Sequence, residues 1–263
     1  MASYGSAWRK IRWSLAQRGL LGTIQITLER ARKATAKSPS SAIPAIHPFD
    51  HRYGVDTSGL IGGGDLATGH RHDVFISAYY GMAPSRFYGA IDRWTTETHR
   101  PAATGDYSFV DLGCGKGRAV MMASELAFRQ AIGVELNVGL AAIAEKNIAI
   151  WLAAGRANCH VRIICGDATE FVFPAGPCLL YLFNPFSAPV VERLILQIEV
   201  LFKDRPGLLD IIYFNPVAAP VFDAHPGFAP LWTGMIPMSE EDTSVDLVAS
   251  PDDVCSLYRW VGN

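Results

Sequence analysis

The sequence predicts an α/β protein built on a doubly wound, mostly parallel sheet that finishes antiparallel. Three observations carry that expectation. From residue 107 onward, apolar β-branched runs alternate with helix-forming runs. The strand-like runs are apolar at consecutive positions, the pattern of strands covered on both faces. The first of them passes into a glycine-spaced loop, Asp111-Leu-Gly-Cys-Gly-Lys-Gly117, and then directly into Ala- and Met-rich helix material.

Taken in order, residues 6–36 read as one or two amphipathic helices. Trp8, Ile11 and Leu15 share one face, and Ile24, Leu28 and Ala31 share another, with Gly19 and Gly22 marking a break. The stretch 1–37 carries eight Lys/Arg against one acid, Glu29, although the whole chain has a net charge of −2. The expected role is a helical lid, or attachment to an acidic surface. A Pro/Ser linker follows at 37–47. The stretch from His47 to Gly59 is polar, aromatic and non-periodic, which suits a functional loop. His51, Tyr53 and Asp56 in it are candidates for a lid or a general base, a structural loop role being favoured. Tyr79 to Ser85 turns into a helix that has Pro84 at its first position and a stripe of Phe87, Ile91 and Trp94.

Strands are expected at 107–110, 131–136, 161–165, 178–183 and 208–214, with helices over 118–128, about 140–151 and 189–202. Three short strands without helices between them, at 231–235, 245–249 and 254–260, are expected to close the sheet. The implied divisions are a basic helical extension with its linker (1–45), a lid or substrate-side loop and helix (46–106), and a main domain (107–263).

Composition limits the function classes. In 263 residues, 49% are hydrophobic and 18% charged, enough to bury a large core. The near-neutral charge argues against a mainly electrostatic nucleic-acid binder. The cysteines Cys114, Cys159, Cys165, Cys178 and Cys255 form no C-x-x-C pair, and no histidine stands at zinc-ligand spacing. Reduced thiols, a cytoplasmic location and no metal site are the expectations. No apolar run reaches the ~18 residues of a membrane span, and the broken apolar run near the N-terminus makes a poor signal peptide.

The glycine loop is not a P-loop, because Lys116 is followed by Gly117-Arg118 rather than Ser or Thr. Nor does it match G-x-G-x-x-G, since its glycines fall at every second position behind an acid. Ligands of open α/β sheets bind beyond the C-terminal strand ends, and polar residues stand at each such end here. Glu135 closes the second strand 18 residues after Gly117, where a carboxylate can accept both hydroxyls of a ribose. Asp167 closes the third, placed to hold an adenine amino group, with the Ala168 N–H beside it. Asn184-Pro185-Phe186 closes the fourth, and Asn215-Pro216 repeats the Asn-Pro ending on the fifth.

This series, Asp111 to Gly117, then Gly133-Val-Glu135, then Gly166-Asp167, then Phe183-Asn184-Pro185-Phe186, resembles the class I, seven-strand S-adenosylmethionine-dependent methyltransferases over about residues 80–263. The resemblance implies a Rossmann-like seven-stranded sheet. It sets Gly113, Gly115 and Gly117 against the methionine half of S-adenosyl-L-methionine, with Asp111 steadying the loop and the amino group. The D-L-G-x-G-x-G-R run and the Y-x-x-x-P-S stretch are similar to those of seven-strand lysine methyltransferases, which points to Tyr80 and Ser85 as further cofactor residues. Phe186 stands where the N-P-P-Y motif of amide and adenine N-methyltransferases has its second proline.

Methyl transfer from a sulfonium needs its two partners aligned at about 3–3.5 Å, and no metal. A lysine acceptor must first lose a proton against a solution pKa of about 10.4. Asn184 and the Pro185 carbonyl are candidates to orient it, with Tyr79, Tyr80 and Phe186 facing its cation. The expected acceptor is a nitrogen nucleophile, a protein lysine or a small molecule. A cofactor-binding module without catalysis is the other reading.

Overall fold

The structure, a computed structural model, describes residues 46–246 and 253–262. The basic helices expected over 6–36 lie outside the described residues.

The main sheet has seven strands. In chain order they are β3 (Ser108–Leu112), β4 (Gln130–Glu135), β5 (His160–Cys165), β6 (Cys178–Phe183), β7 (Leu209–Phe214), β8 (Phe228–Met235) and β9 (Val254–Trp260). They lie in the order β5-β4-β3-β6-β7-β9-β8. The first five pair in parallel, while β9 runs antiparallel to both β7 and β8. The chain thus winds outward from β3 in one direction and returns across it in the other. This leaves a switch point between β3 and β6, where an open α/β sheet forms its crevice.

Period-two alternation sorts the strands onto two cores. Phe109, Leu179, Tyr181, Ile212 and Phe214 face one. Val110, Leu112, Leu180, Leu182 and Tyr213 face the other. The first is covered by α2 (Pro84–Glu97), α3 (Arg118–Ser124) and α4 (Val138–Ala153), which bring Phe87, Trp94, Val120 and Trp151. The second is covered by α5 (Ala188–Leu201) and α6 (Ala219–Asp223), through Val191, Leu194, Ile198 and Phe222. One polar node is set into this apolar body. Asp210 takes two hydrogen bonds from Arg259, at 2.7 and 2.9 Å, and one from Trp94 Nε1 at 2.8 Å. The bidentate pair fixes the β7–β9 register, in which Asp210 stands opposite Arg259.

Two expectations are corrected. The segment from His47 to Gly59 is not wholly irregular: Pro48–Tyr53 is a helix, α1. His47 Nδ1 accepts from Phe49 N–H at 3.0 Å, Pro48 opens the first turn, and Gly54 closes it at φ 68°. Six residues are too few to show a 3.6-residue period. The strand expected at 245–249 is also absent over its described part, since Glu240–Val245 is a helix, α7, and 247–249 lie outside the described residues. Ser239 caps that helix and three acids, Glu240, Glu241 and Asp242, occupy its first turn, where the helix dipole favours them. The helix of 118–128 stops at Ser124, and the strand expected at 231–235 begins earlier, at Phe228.

Ahead of the sheet, residues 54–82 form a strap. Its ends pair as a two-stranded ribbon, β1 (Leu60–Ile61) against β2 (Tyr79–Tyr80). The strap is bolted down by a buried polar node. Asp50 accepts from Thr57 N–H at 2.7 Å and Ser58 N–H at 2.6 Å. Arg118 Nε donates to Thr57 Oγ1 at 2.6 Å, and its far nitrogen lies 3.5 Å from Asp50. Lys116 Nζ reaches Asp56 at 2.7 Å and the Ser58 carbonyl at 2.8 Å. No helix among the described residues is long and apolar enough to cross a membrane.

Candidate functional site

A cleft of about 1040 Å³, counting its open mouth, lies at the C-terminal edge of the sheet over the β3/β6 switch point. One wall is the strap, from Leu66 to Met82; the floor is the glycine loop and the strand ends. Tyr80, Asp111, Gly113, Gly115, Glu135, Asp167, Ala168, Pro185 and Phe186 all line it. The sequence therefore placed most of its candidates around one space.

The glycine loop is shaped by its neighbours as much as by a ligand. Gly113 and Gly115 have φ of 82° and 55°. A Cβ at Gly113 would overlap the Pro185 side chain, and one at Gly115 the Tyr79 ring. Without those side chains, the loop lies against both the β6 corner and the strap. Gly117, at φ 84°, opens α3 and is not part of the lining.

Two carboxyls stand at the deep end. Glu135 accepts from Gly115 N–H and Asn137 N–H, each at 2.8 Å, so its side chain clamps the loop to the end of β4. Burial raises its pKa against the pull of these N–H groups. Asp111 is 4% exposed and lines the cleft, and among the described residues its carboxyl has no hydrogen bond or ion pair. Burial, and next the negative charge of Glu135, push its pKa well above the usual carboxylate range. Among the described residues, the deep end thus offers acceptors and no neutralising side-chain cation at either acid. Arg118 lines the same cleft, but its guanidinium is turned to Thr57, the Met82 carbonyl and Asp50.

Asp167 is already engaged. Its Oδ1 accepts from Thr169 N–H and Oγ1, both at 2.9 Å. Its Oδ2 faces His72 Nδ1 at 2.9 Å, His70 Nε2 at 3.8 Å and Arg71 at 4.0 Å. Burial favours the neutral acid, but the Thr169 bonds and the two histidines outweigh it and lower the pKa. His70, His72 and Asp167 each bring a ligand atom within 4.8 Å of the others. His70 Nδ1 accepts from His72 N–H at 3.2 Å, which leaves the proton of a neutral ring on Nε2. His72 Nε2 abuts the Arg193 guanidinium, which leaves its proton on Nδ1. Burial lowers the His72 pKa, against the pull of Asp167. His72 Nδ1 and Asp167 Oδ2 are both buried and 2.9 Å apart, yet the pair makes no aligned hydrogen bond.

Other expected residues sit elsewhere or are already in use. Ser85 is outside the cleft: its N–H and Oγ donate to Asp242 at 2.8 and 2.5 Å, tying the start of α2 to α7. These bonds and that of His47 overcome burial and hold the Asp242 pKa at about 2. Asn184 is not in the lining; it turns the corner after β6 at φ 42°, as Asn215 does after β7 at φ 48°. The Pro185 carbonyl, a candidate to receive a substrate amine, accepts from Ser77 N–H at 2.9 Å, and the Phe75 carbonyl accepts from Ser187 N–H at 2.9 Å. Tyr80 is hydrogen-bonded to Asp246, and burial first, then that bond, raises its pKa. Of the loop candidates, Asp56 grips Lys116 and Tyr53 packs on Phe49, Trp151 and Arg156, while His51 is exposed. Tyr181, Thr68 and Asn137 also line the cleft without having been singled out from sequence.

No protein-family model and no curated protein matches the sequence. Solved structures of similar fold exist. The putative methyltransferase yhhF from Escherichia coli aligns over 78% of this chain and 100% of its own, at 17% identity and a TM-score of 0.46. A geranyl diphosphate C-methyltransferase from Streptomyces coelicolor A3(2), in complex with Mg2+, geranyl diphosphate and S-adenosyl-L-homocysteine, aligns over 65% of this chain and 80% of its own, at 15% identity and a TM-score of 0.43. A mutant of MtNAS aligns over 67% of this chain at 17% identity and a TM-score of 0.44, and the chain spans 60% of its length. These likenesses concern the fold.

Proposed function

We propose that this chain is an S-adenosyl-L-methionine-dependent methyltransferase acting on a nitrogen nucleophile. The observation that carries the reading is the deep end of the cleft, where two buried acids, without neutralising cations among the described residues, lie beside glycine backbone at the switch point. A ligand that bears a ribose, an ammonium and a sulfonium matches it. Glu135 would take the ribose hydroxyls with the lone pairs that the loop N–H groups leave free. Asp111 would face the ammonium, and Ala168 N–H with Asp167 would meet the adenine edge. The backbone of Gly113 and Gly115 would border the methionine half, with Pro185 and the Tyr79 ring filling the space that a Cβ at either position would need.

The cofactor supplies a methyl group on a cationic sulfur, and the chain's own task is alignment, exclusion of water and desolvation of the acceptor. Tyr80, Phe183 and Phe186 line the cleft and give an apolar wall against which an amine's pKa falls. A protein lysine is one acceptor. A small amine is the second reading, favoured by the two backbone hydrogen bonds that tie the strap across the corner after β6. A proton leaves the amine to solvent before or during transfer, since Tyr80 already shares its own with Asp246.

The test is calorimetry with S-adenosylhomocysteine, followed by transfer of labelled methyl to a panel of amines and to protein extract. One-to-one binding and label on nitrogen are expected; no binding defeats the reading. Label only on small amines removes the lysine reading.

Asp111 adds a pH signature. Its folded pKa lies above its unfolded one, so its contribution to stability is fully present below the unfolded pKa and is lost as pH rises through the folded value. Asp111→Asn keeps the neutral shape. The free variant is expected to melt above wild type at pH 8, and the two are expected to converge near pH 4. Binding of an ammonium ligand favours ionised Asp111, so wild-type affinity for S-adenosylhomocysteine rises with pH through that pKa, and the variant's rise is reduced. Superimposable melting and binding profiles would reject this role.

A further inference from the structure

Tyr181 is the one polar side chain in the apolar strand β6, register-opposite Asp111 on β3 and on the same face of the sheet. It is 1% exposed, with its ring against Phe87 at 5.6 Å and Phe109 at 5.7 Å. Its hydroxyl is buried and has no hydrogen-bond partner among the described residues, yet the residue lines the cleft. The other buried tyrosines are provided for. Tyr79 donates to the Thr57 carbonyl at 2.6 Å and Tyr258 to Asp223 at 2.9 Å. Tyr107 lies 3.5 Å from Asp210, and Tyr213 accepts from Ala218 N–H at 3.2 Å. A buried hydroxyl without a partner costs stability, and folded proteins rarely keep one without use.

We propose that the Tyr181 hydroxyl and the Asp111 carboxylate form a two-point clamp on an α-amino acid end of the bound ligand, Asp111 receiving the ammonium and Tyr181 donating to the carboxylate. This rests on the cofactor reading above and adds to it the group that recognises the carboxylate. The division of roles follows from charge. Burial, and after it the negative charge of Asp111, drive the Tyr181 pKa far up, so the phenol keeps its proton and offers it. Asp111 has no proton to offer once ionised and can only accept. Donor and acceptor on adjacent strands match the two charges of a zwitterion. A nucleoside without the amino acid would engage neither.

In Cys-Leu-Leu-Tyr-Leu-Phe, a phenol sits where the strand is otherwise apolar. Its packing needs only the ring, which phenylalanine also supplies.

The experiment uses the full chain and two probes, S-adenosylhomocysteine and 5′-methylthioadenosine, which lacks the amino-acid end. Tyr181→Phe is expected to lower affinity for the first by about tenfold or more, the loss of a hydrogen bond to a charged group. Affinity for the second should stay within about twofold of wild type. The free variant should melt at or above the wild-type temperature, because only an unpartnered hydroxyl is removed. A wild-type measurement supplies the same contrast without a variant: decarboxylated S-adenosylhomocysteine should bind about tenfold more weakly than the intact compound. Unchanged affinity of Tyr181→Phe for S-adenosylhomocysteine overturns the clamp and leaves the cofactor reading standing. Equal losses for both probes overturn it too, by placing the contact on the nucleoside. If wild type binds neither probe, the cofactor reading fails and the clamp falls with it.

Discussion

Arg118→Ala is expected to destabilise the chain by about 3–5 kcal/mol, the cost of leaving a buried charge without its partner. Arg118 and Asp50 are each 4% exposed, and Thr57 between them is fully buried. The guanidinium spends its nitrogens on Thr57 Oγ1, the Met82 carbonyl and the Asp50 side, and lies 5.4 Å from the centre of the Phe49 ring. Removing it strips a cation from beneath the strap and opens a void under α1. Asp50 would keep only neutral donors, the Thr57 and Ser58 groups. A lysine cannot reproduce the fork, so Arg118→Lys should fall between the two. Urea unfolding measures this as a lower midpoint at a similar slope. A loss under about 1 kcal/mol would mean that the pair contributes little net stability.

That node also shows where sequence reading stopped. The sheet was legible because β3, β6 and β7 are mostly apolar, buried on both faces, and each ends in a polar or glycine turn. The convergence of the cofactor-side candidates was legible for the same reason, since strand ends meet on one edge whatever the loops do. Asp111, Glu135 and Asp167 meet there as expected. The strap was not legible, because its order comes from contacts across long separations rather than from a local period. Asp50 with Arg118, Asp56 with Lys116 and Asn147, and Asn137 with Leu66 are all of this kind. Asn184 and Ser85 illustrate the opposite error of position. A motif gives the residue but not the direction of its side chain, and a left-handed corner and an Asp242 cap took those two away from the lining. The His70 to His72 stretch carried the weakest signal of all, since three polar residues in a loop gave no reason to face Asp167.

Gly115→Ala is expected to lower affinity for S-adenosylhomocysteine by about 100-fold or more, some 2.7 kcal/mol. Two effects add. At φ 55° an alanine pays the left-handed penalty of about 1–2 kcal/mol. Its Cβ would also overlap the Tyr79 ring, and that ring cannot retreat. Tyr79 is 9% exposed, its hydroxyl is fixed to the Thr57 carbonyl at 2.6 Å, and Thr57 belongs to the Asp50–Arg118 node. The loop must therefore move instead, and moving it draws Gly115 N–H off Glu135, now 2.8 Å away. Glu135 then loses the bond that aims its carboxylate, so a change at the loop is felt at the ribose. Gly155→Ala separates the two effects. It has a similar φ of 66° with nothing within 4 Å of the new Cβ, so it should melt lower by the backbone penalty alone and bind S-adenosylhomocysteine as wild type does. If Gly115→Ala bound within about threefold of wild type, Tyr79 would have to yield, and the strap would be a looser wall than its hydrogen bonds imply.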